Sequence, residues 1–377
     1  MTLNKPHVAV LARHYPLSGG RTVFVKRLIA SLSDTFDFTV ITKNDKDKHA
    51  THESTFNLFY YYLSSFWRLR RLHKKHHVDL VLGTGLSALG GFSYAKLFGI
   101  PSLLNVSGVR SFKRQKQASG LKATSNAPSR KARLFNPFTT LPTLFKILSD
   151  LLSVTWCTKA IVPSESSKRY IAEGLGHEEK IISVNEGIPP DFTTDSDTAK
   201  LAELGQLSKK HVIVLYPIEE SFDSPFFTET IRQLDRSHDI ILVIGKRIIY
   251  RVDTEGQLAE TTLRVKDTLP ITDVLICTYA GLELHSTTGL EALSSGVTVI
   301  PPNLGWWREE FGENNILLLN ALTSEEVVAK INHFFANRAH YEEETKRVRQ
   351  RLLATYDFKR CMDASQKIMT TLIQKTV

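Results

Sequence analysis

Short apolar runs alternate along this chain with longer amphipathic segments, and the alternation predicts strand after helix after strand. His7–Ala12 (HVAVLA), Phe38–Thr42, Val78–Thr84 (VDLVLGT) and Ile100–Val106 (IPSLLNV) read as strands, with helices over about 21–32, 55–76 and 86–98 between them. A helical segment follows from about Pro142 to Val154. KAIVPSESSKRYIAEGLG then reads as strand, serine-capped helix and glycine stop, and IISVNEGIPPDF as a strand and a turn. Polar residues Asp191–Lys210 read as a linker. The pattern resumes with strands at His211–Pro217 and in DIILVIGKR, around a helix near Phe226–Leu234. Three helices near 323–337, 340–354 and 358–374 finish the chain. Strands alternating with helices predict an α/β fold with parallel sheets covered on both faces, and ligands in such sheets sit at the C-terminal strand ends.

The stretch Ile271–Ile300 gathers the most chemistry. TDVLIC is a strand. The polar cluster Ser286, Thr287 and Thr288 precedes Leu290, Ala292 and Leu293 and suits a helix start, Gly296 suits its end, and Val297–Ile300 is the next strand. Glu283 and Glu291 bracket the helix start. On one continuous helix they would lie roughly 12 Å apart along the axis. With Glu283 in the loop and Glu291 in the second turn, both can face one cleft. The free N–H groups between them then seat a diphosphate.

Two glutamates eight positions apart, then small residues and a strand (Glu283-Leu-His-Ser-Thr-Thr-Gly-Leu-Glu291-Ala-Leu-Ser-Ser-Gly296-Val-Thr-Val-Ile300), resemble the nucleotide-sugar site of family 4 retaining glycosyltransferases. That resemblance implies the GT-B fold: two Rossmann-like domains with parallel sheets, an active-site cleft between them and a C-terminal helix crossing back to the first domain. The expected domains are 1–192 for the acceptor, 193–357 for the nucleotide sugar, and the returning helix 358–377. It implies sugar transfer from a nucleotide diphosphate sugar to a glycan or lipid-linked acceptor with retention at the anomeric carbon. Glu291 is expected on ribose hydroxyls, Glu283 on sugar hydroxyls near the reacting carbon, and the amides of Ser286–Thr288 on phosphate. The pair Gly19-Gly20, where the first loop enters its helix, resembles the family's Gly-Gly facing the donor phosphates and the acceptor; taken alone it also reads as a turn. Ser107 and Arg110, after the fourth strand, are read as acceptor-binding; the family often has a histidine after this strand as a donor-side contact, and Ser107 or Gly108 takes its place here. The chain departs from the family after His211–Pro217. A Gly-Arg and a following lysine are expected there to hold the diphosphate, but Glu219, Glu220 and Asp223 stand in their place and would repel it. Lys246 and Arg247, after the neighbouring strand, are the compensating cations. The same departure supports a second reading, a catalytically degenerate GT-B protein that binds a glycan or partners an active enzyme.

Charge sharpens the picture. Residues 1–190 carry 27 Lys and Arg against 12 Asp and Glu, the remainder 21 against 27, so a +15 half is joined to a −6 half. The basic half is expected to meet something anionic: a membrane surface, a phosphorylated acceptor or nucleic acid. No nucleic-acid motif accompanies the charge, so nucleic acid is not an expected partner. In the helix over 55–76, Phe59, Tyr60, Tyr61, Tyr62, Phe66 and Trp67 precede Arg68, Arg70, Arg71, Lys74 and Lys75. That order suits either a helix on an anionic bilayer or a core helix with a solvated basic end. Phe112–Arg133 is polar and basic and reads as a loop. His73, His76 and His77 lack the companions of a metal site and read as solvated helix-end histidines. Trp306 and Trp307 either stack a sugar or base or sit in the core. Cys157, Cys277 and Cys361 are odd in number and without metal spacing. They fit a reducing cytoplasm, and no metal or other cofactor is expected. No apolar run reaches the roughly 18 residues of a spanning helix.

Overall fold

The apolar runs become two sheets in the computed structural model, which describes residues 5–12, 15, 20–42, 55–106, 148–149, 151–188, 211–216, 225–234, 239–244, 249–253, 255–261, 263, 265–277 and 287–375. The chain divides into two compact units. The divisions fall at Gly187/Ile188 and Phe358/Lys359, so the C-terminal segment groups with the first unit.

In the first unit, β1 (His7–Leu11), β2 (Asp37–Ile41), β3 (Leu80–Thr84), β4 (Ser102–Asn105), β5 (Lys159–Val162) and β6 (Ile181–Ser183) form one sheet in the order β2-β1-β3-β4-β5-β6. Every neighbouring pair is parallel. Val8–Leu11 and all of β3 are buried, which is why these strands read as unbroken apolar runs rather than alternating ones. The helices are α1 (Gly20–Leu32), α2 (Thr55–Lys75), α3 (Leu89–Leu97) and α4 (Glu165–Leu175). Ser164 starts α4, its Oγ accepting the Ser167 N–H at 3.1 Å, and Gly176 ends it at a φ of 76°.

The second unit holds β7 (His211–Tyr216), α5 (Pro225–Gln233), β8 (Asp239–Ile244), β9 (Ile249–Val252), β10 (Leu258–Glu260), α6 (Val265–Thr268), β11 (Val274–Cys277), α7 (Thr287–Ser294), β12 (Thr298–Ile300), α8 (Gly305–Phe311), α9 (Ser324–Ala336) and α10 (Arg338–Thr355); α11 (Phe358–Gln374) closes the chain. The sheet order is β10-β9-β8-β7-β11-β12. Its β8, β7, β11 and β12 are mutually parallel, while β9 and β10 add an antiparallel edge. The hydrophobic pattern predicts no strand over 249–260. The hairpin forms because Ile249 and Val252 are buried while Arg251 stays outside, and because Asp253 builds the turn. Its Oδ1 accepts the N–H of Glu255 at 2.9 Å and of Gln257 at 2.8 Å, with Gly256 at a φ of 87°.

Both sheets reverse direction beside their first strand: β1 has β2 on one side and β3 on the other, and β7 has β8 and β11. The same device pins each reversal. His7 donates its N–H to Asp79 Oδ2 at 2.7 Å and accepts the Asp79 N–H at 2.9 Å; Val212 does the same with Asp273 at 2.8 and 3.0 Å. An aspartate ahead of β3 and of β11 thus satisfies a backbone donor at the start of the neighbouring strand, the first residue of β1 and the second of β7.

At the end of α2 the sequence expectation needs correction for one histidine. His76 and His77 are exposed, but His73 is half-buried and its Nδ1 accepts the Val78 N–H at 3.1 Å. Burial first, then the His77 ring at 5.1 Å, lowers its pKa below 6.5, while Asp79 works the other way. The folded chain therefore binds fewer protons here than the unfolded chain, so stability falls as pH drops below about 6.5 and levels off below the lowered folded value. The urea midpoint should fall from pH 7.5 to 5.5, and His73→Gln should flatten that fall; an equal slope in both proteins would refute the assignment.

Candidate functional site

The reversal beside β7 is where an open α/β sheet leaves room for a ligand outside its strand ends. Leu215 pairs with Val243 and Tyr216 with Cys277, so β7, β8 and β11 end at one edge. β11 is buried throughout, and burial pushes the Cys277 thiol far up, which keeps it a neutral core group. The Cys157 thiol in the first unit is likewise pushed up to about 12, chiefly by burial.

Helix α7 follows β11 and begins at Thr287. Gly289, Leu290, Ala292 and Leu293 are buried, whereas Thr288 and Glu291 are half-buried. Three residues apart on a helix, these two share a face. Glu291 thus stands in the second turn, on the polar side. The far end of α7 is tightly tied. The Gly296 N–H reaches Leu293 O and the Val297 N–H reaches Ala292 O, both at 3.0 Å, with Gly296 at a φ of 85°, the pattern of a Schellman cap. Ser294 and Ser295 donate their hydroxyls to Glu291 O at 2.7 and 3.0 Å. Arg349, from α10, places Nε and Nη2 on Ser294 O at 3.0 and 2.8 Å, a cation at the negative end of the helix. Arg349 anchors the C-terminal end of α7, a contact that the sequence pattern does not announce. It lies 55 residues from its partner, and no local pattern marks it.

Glu283, Ser286, Lys246 and Arg247 lie outside the described residues, as do the acids Glu219, Glu220 and Asp223. The strands that precede these three groups are β11, β8 and β7, whose ends are in register. On the first unit, Gly20 is the first residue of α1, while Gly19, Ser107, Arg110 and the basic stretch 112–133 lie outside the described residues. The strand-end turn of β3 is a feature the sequence reading gave to a plain helix. Thr84 donates its hydroxyl to Leu11 O at 3.1 Å, and Gly85 turns the chain at a φ of 58° into a 3₁₀ turn, Gly85–Ala88. A Cβ on Gly83 would lie 2.3 Å from that of Ala88, so the turn folds back over β3 only because Gly83 has none. Gly83-Thr84-Gly85 was the available signal.

The two tryptophans are core residues, which removes the stacking alternative. Trp306 and Trp307 are 1% and 4% exposed. Trp306 donates its indole N–H to the Tyr356 hydroxyl, which donates to Glu310 Oε1 at 2.8 Å. Burial, then the Glu310 carboxylate, raises the Tyr356 pKa far above its usual value. Among the described residues, no three His, Cys, Asp or Glu side chains gather as a metal site.

No family model matches this chain, and no curated protein sequence does. Solved structures do match. Sucrose-phosphate synthase from Thermosynechococcus elongatus is similar with a TM-score of 0.71 at 14% identity, over 98% of this chain and 100% of that one. The catalytic domain of starch synthase IV from Arabidopsis thaliana, bound to ADP and acarbose, gives 0.66 at 12% identity, over 99% and 100%. HepE of Anabaena, in complex with UDP-glucose, gives 0.65 at 11% identity, over 97% and 99%. At these identities the likeness establishes the fold: an α/β chain of two Rossmann-like units, as in GT-B glycosyltransferases.

Proposed function

We propose that this protein is a cytoplasmic glycosyltransferase that moves a sugar from a nucleotide diphosphate sugar to a glycan or lipid-linked acceptor, with retention, in surface polysaccharide or glycoconjugate synthesis. One observation carries the reading: α7 follows β11 at the reversal of the second sheet and keeps Thr288 and Glu291 on its one polar face. HepE in complex with UDP-glucose has the same fold and supports a nucleotide-sugar donor. On this reading Glu291 accepts ribose hydroxyls and Glu283 accepts sugar hydroxyls near the reacting carbon. The first amides of α7, with Ser286, Thr287 and Thr288, hold the diphosphate at the positive helix end. Lys246 and Arg247 offset the acids after β7, Gly19 and Gly20 admit the donor phosphates, and Ser107 and Arg110 serve the acceptor. Retention rests on the Glu283–Glu291 spacing and its family resemblance. The residues stabilise the departing diphosphate, with no metal and no protein base assigned.

A panel of nucleoside diphosphates tests the reading by thermal shift. At 100 times its dissociation constant a true donor nucleotide adds about 2.7 kcal/mol, or about 5–10 °C for a unit of this size. Radiolabelled transfer or hydrolysis from the matching nucleotide sugar should follow. The acids Glu219, Glu220 and Asp223 favour a second reading, a non-catalytic glycan-binding partner. It takes over if no nucleotide stabilises the chain while a glycan does.

A further inference from the structure

Helix α2 buries one side and shows large apolar groups on the other. Tyr61, Tyr62, Ser65 and Leu69 are buried, whereas Phe59, Tyr60, Leu63 and Trp67 are 49%, 54%, 51% and 53% exposed. At about 100° per residue, the four exposed residues fall in one sector of the helix. Arg70 and Lys74 fall in that same sector further along the helix, and Arg71 and Lys75 flank it. Arg71, Lys74 and Lys75 are exposed, and Arg70 lies over the Trp67 ring at 5.2 Å. Thr55–Lys75 contains no acidic residue. Leu148 and Leu151, beside a helical turn that the Ser149–Tyr62 hydroxyl contact of 2.9 Å ties to α2, are exposed as well.

We infer that this face of α2 docks on the surface of an anionic phospholipid bilayer. The helix, about 30 Å long, lies in the plane of the membrane. Its aromatic half enters the headgroup–acyl boundary, and its cationic half pairs with lipid phosphates and carboxylates. Charge decides the occupant. A protein partner or a second copy would bury the apolar residues equally well, but a second copy would bring the same cations to the face, whereas an anionic membrane complements them. Among the described residues, no helix is long and apolar enough to cross a membrane, so this contact is peripheral. The inference does not depend on sugar transfer.

The test uses the full chain and vesicles of 70% phosphatidylcholine with 30% phosphatidylserine, against phosphatidylcholine alone. Co-sedimentation should be at least 10-fold stronger with phosphatidylserine and should weaken in 0.5 M salt. Trp67 emission should shift to the blue on binding, and Trp67→Phe should remove the shift. Leu63→Ser with Trp67→Ser, and separately Arg71→Gln with Lys74→Gln, should each lower binding at least 10-fold at an unchanged melting temperature. Lys346→Gln with Lys359→Gln, an equal loss of charge elsewhere, should leave it intact. Failure of the wild type to bind phosphatidylserine vesicles, or wild-type binding by both face variants, overturns the inference. So does a dimer that Leu63→Ser with Trp67→Ser splits, which would give the face to a second copy. Nucleotide binding is measured on the same samples, so loss of the transferase reading would show separately.

Discussion

Gly90→Ala should destabilise the first unit by about 3 kcal/mol, the upper part of the usual range for overpacking. Its thermal transition should fall by roughly 6–12 °C. A Cβ at Gly90, on α3, would lie 1.9 Å from the backbone carbonyl oxygen of Tyr62 and 2.5 Å from Ser65 Oγ, both on α2. Neither atom is free to yield. Tyr62 O also accepts the Ser65 hydroxyl at 2.9 Å, and both side chains are buried. The helices must therefore separate, loosening the packing under the exposed face of α2. Gly91→Ala is the contrasting case. Its Cβ would meet Leu11 Cδ1 at 2.2 Å, the end of a side chain that can change rotamer. The better helix propensity of alanine, worth about 1 kcal/mol, offsets part of that cost. Urea melts of both variants check the pair, and equal losses would mean that backbone contact is not what sets the spacing.

On the transferase reading, Glu291→Gln should weaken nucleoside diphosphate binding about 10–100-fold, because hydrogen bonds to a charged group are worth about 1.5–3 kcal/mol each. The melting temperature of wild type and variant without nucleotide, measured beside the titration, separates any structural cost of the change from the lost ligand contact. The side chain is half-buried on the polar face of α7, and the backbone beneath it is held by Ser294, Ser295 and Arg349. Calorimetric titration of wild type and variant with the nucleotide found in the panel measures the change. Unchanged affinity would detach Glu291 from the donor and remove the main support for the proposed activity.

The parallel core was legible because central strands such as Leu80–Thr84 and Val274–Cys277 are buried at every position and carry almost unbroken apolar runs, LVLG and VLIC. Gly176 and Gly296 were legible as helix stops because left-handed backbone favours glycine. The β9–β10 hairpin escaped because its buried positions are few and its strands short, although Asp253 and Gly256 marked the turn. The role of α2 stayed open for a different reason. Aromatic residues occupy both of its sides, Tyr61 and Tyr62 inward and Tyr60 and Trp67 outward, so hydrophobicity alone has no phase there. The anchoring of α7 by Arg349 is a tertiary contact and leaves no trace in local spacing. Of the site residues read from the sequence, Gly20, Thr287, Thr288 and Glu291 fall on described helices. The loop residues depend on chain segments where periodicity carries no information.

The grouping of α11 with the first unit bears on how the chain leaves the ribosome. Met369 and Leu372 are buried, and Gln366 reaches Thr35 Oγ1 at 3.3 Å. A nascent first unit therefore waits for its last helix while residues 188–358 are made, about 10–30 s at 5–20 residues per second. During that interval the surface that α11 will cover is open to solvent, so loss of α11 injures the unit whose strands were made well before it.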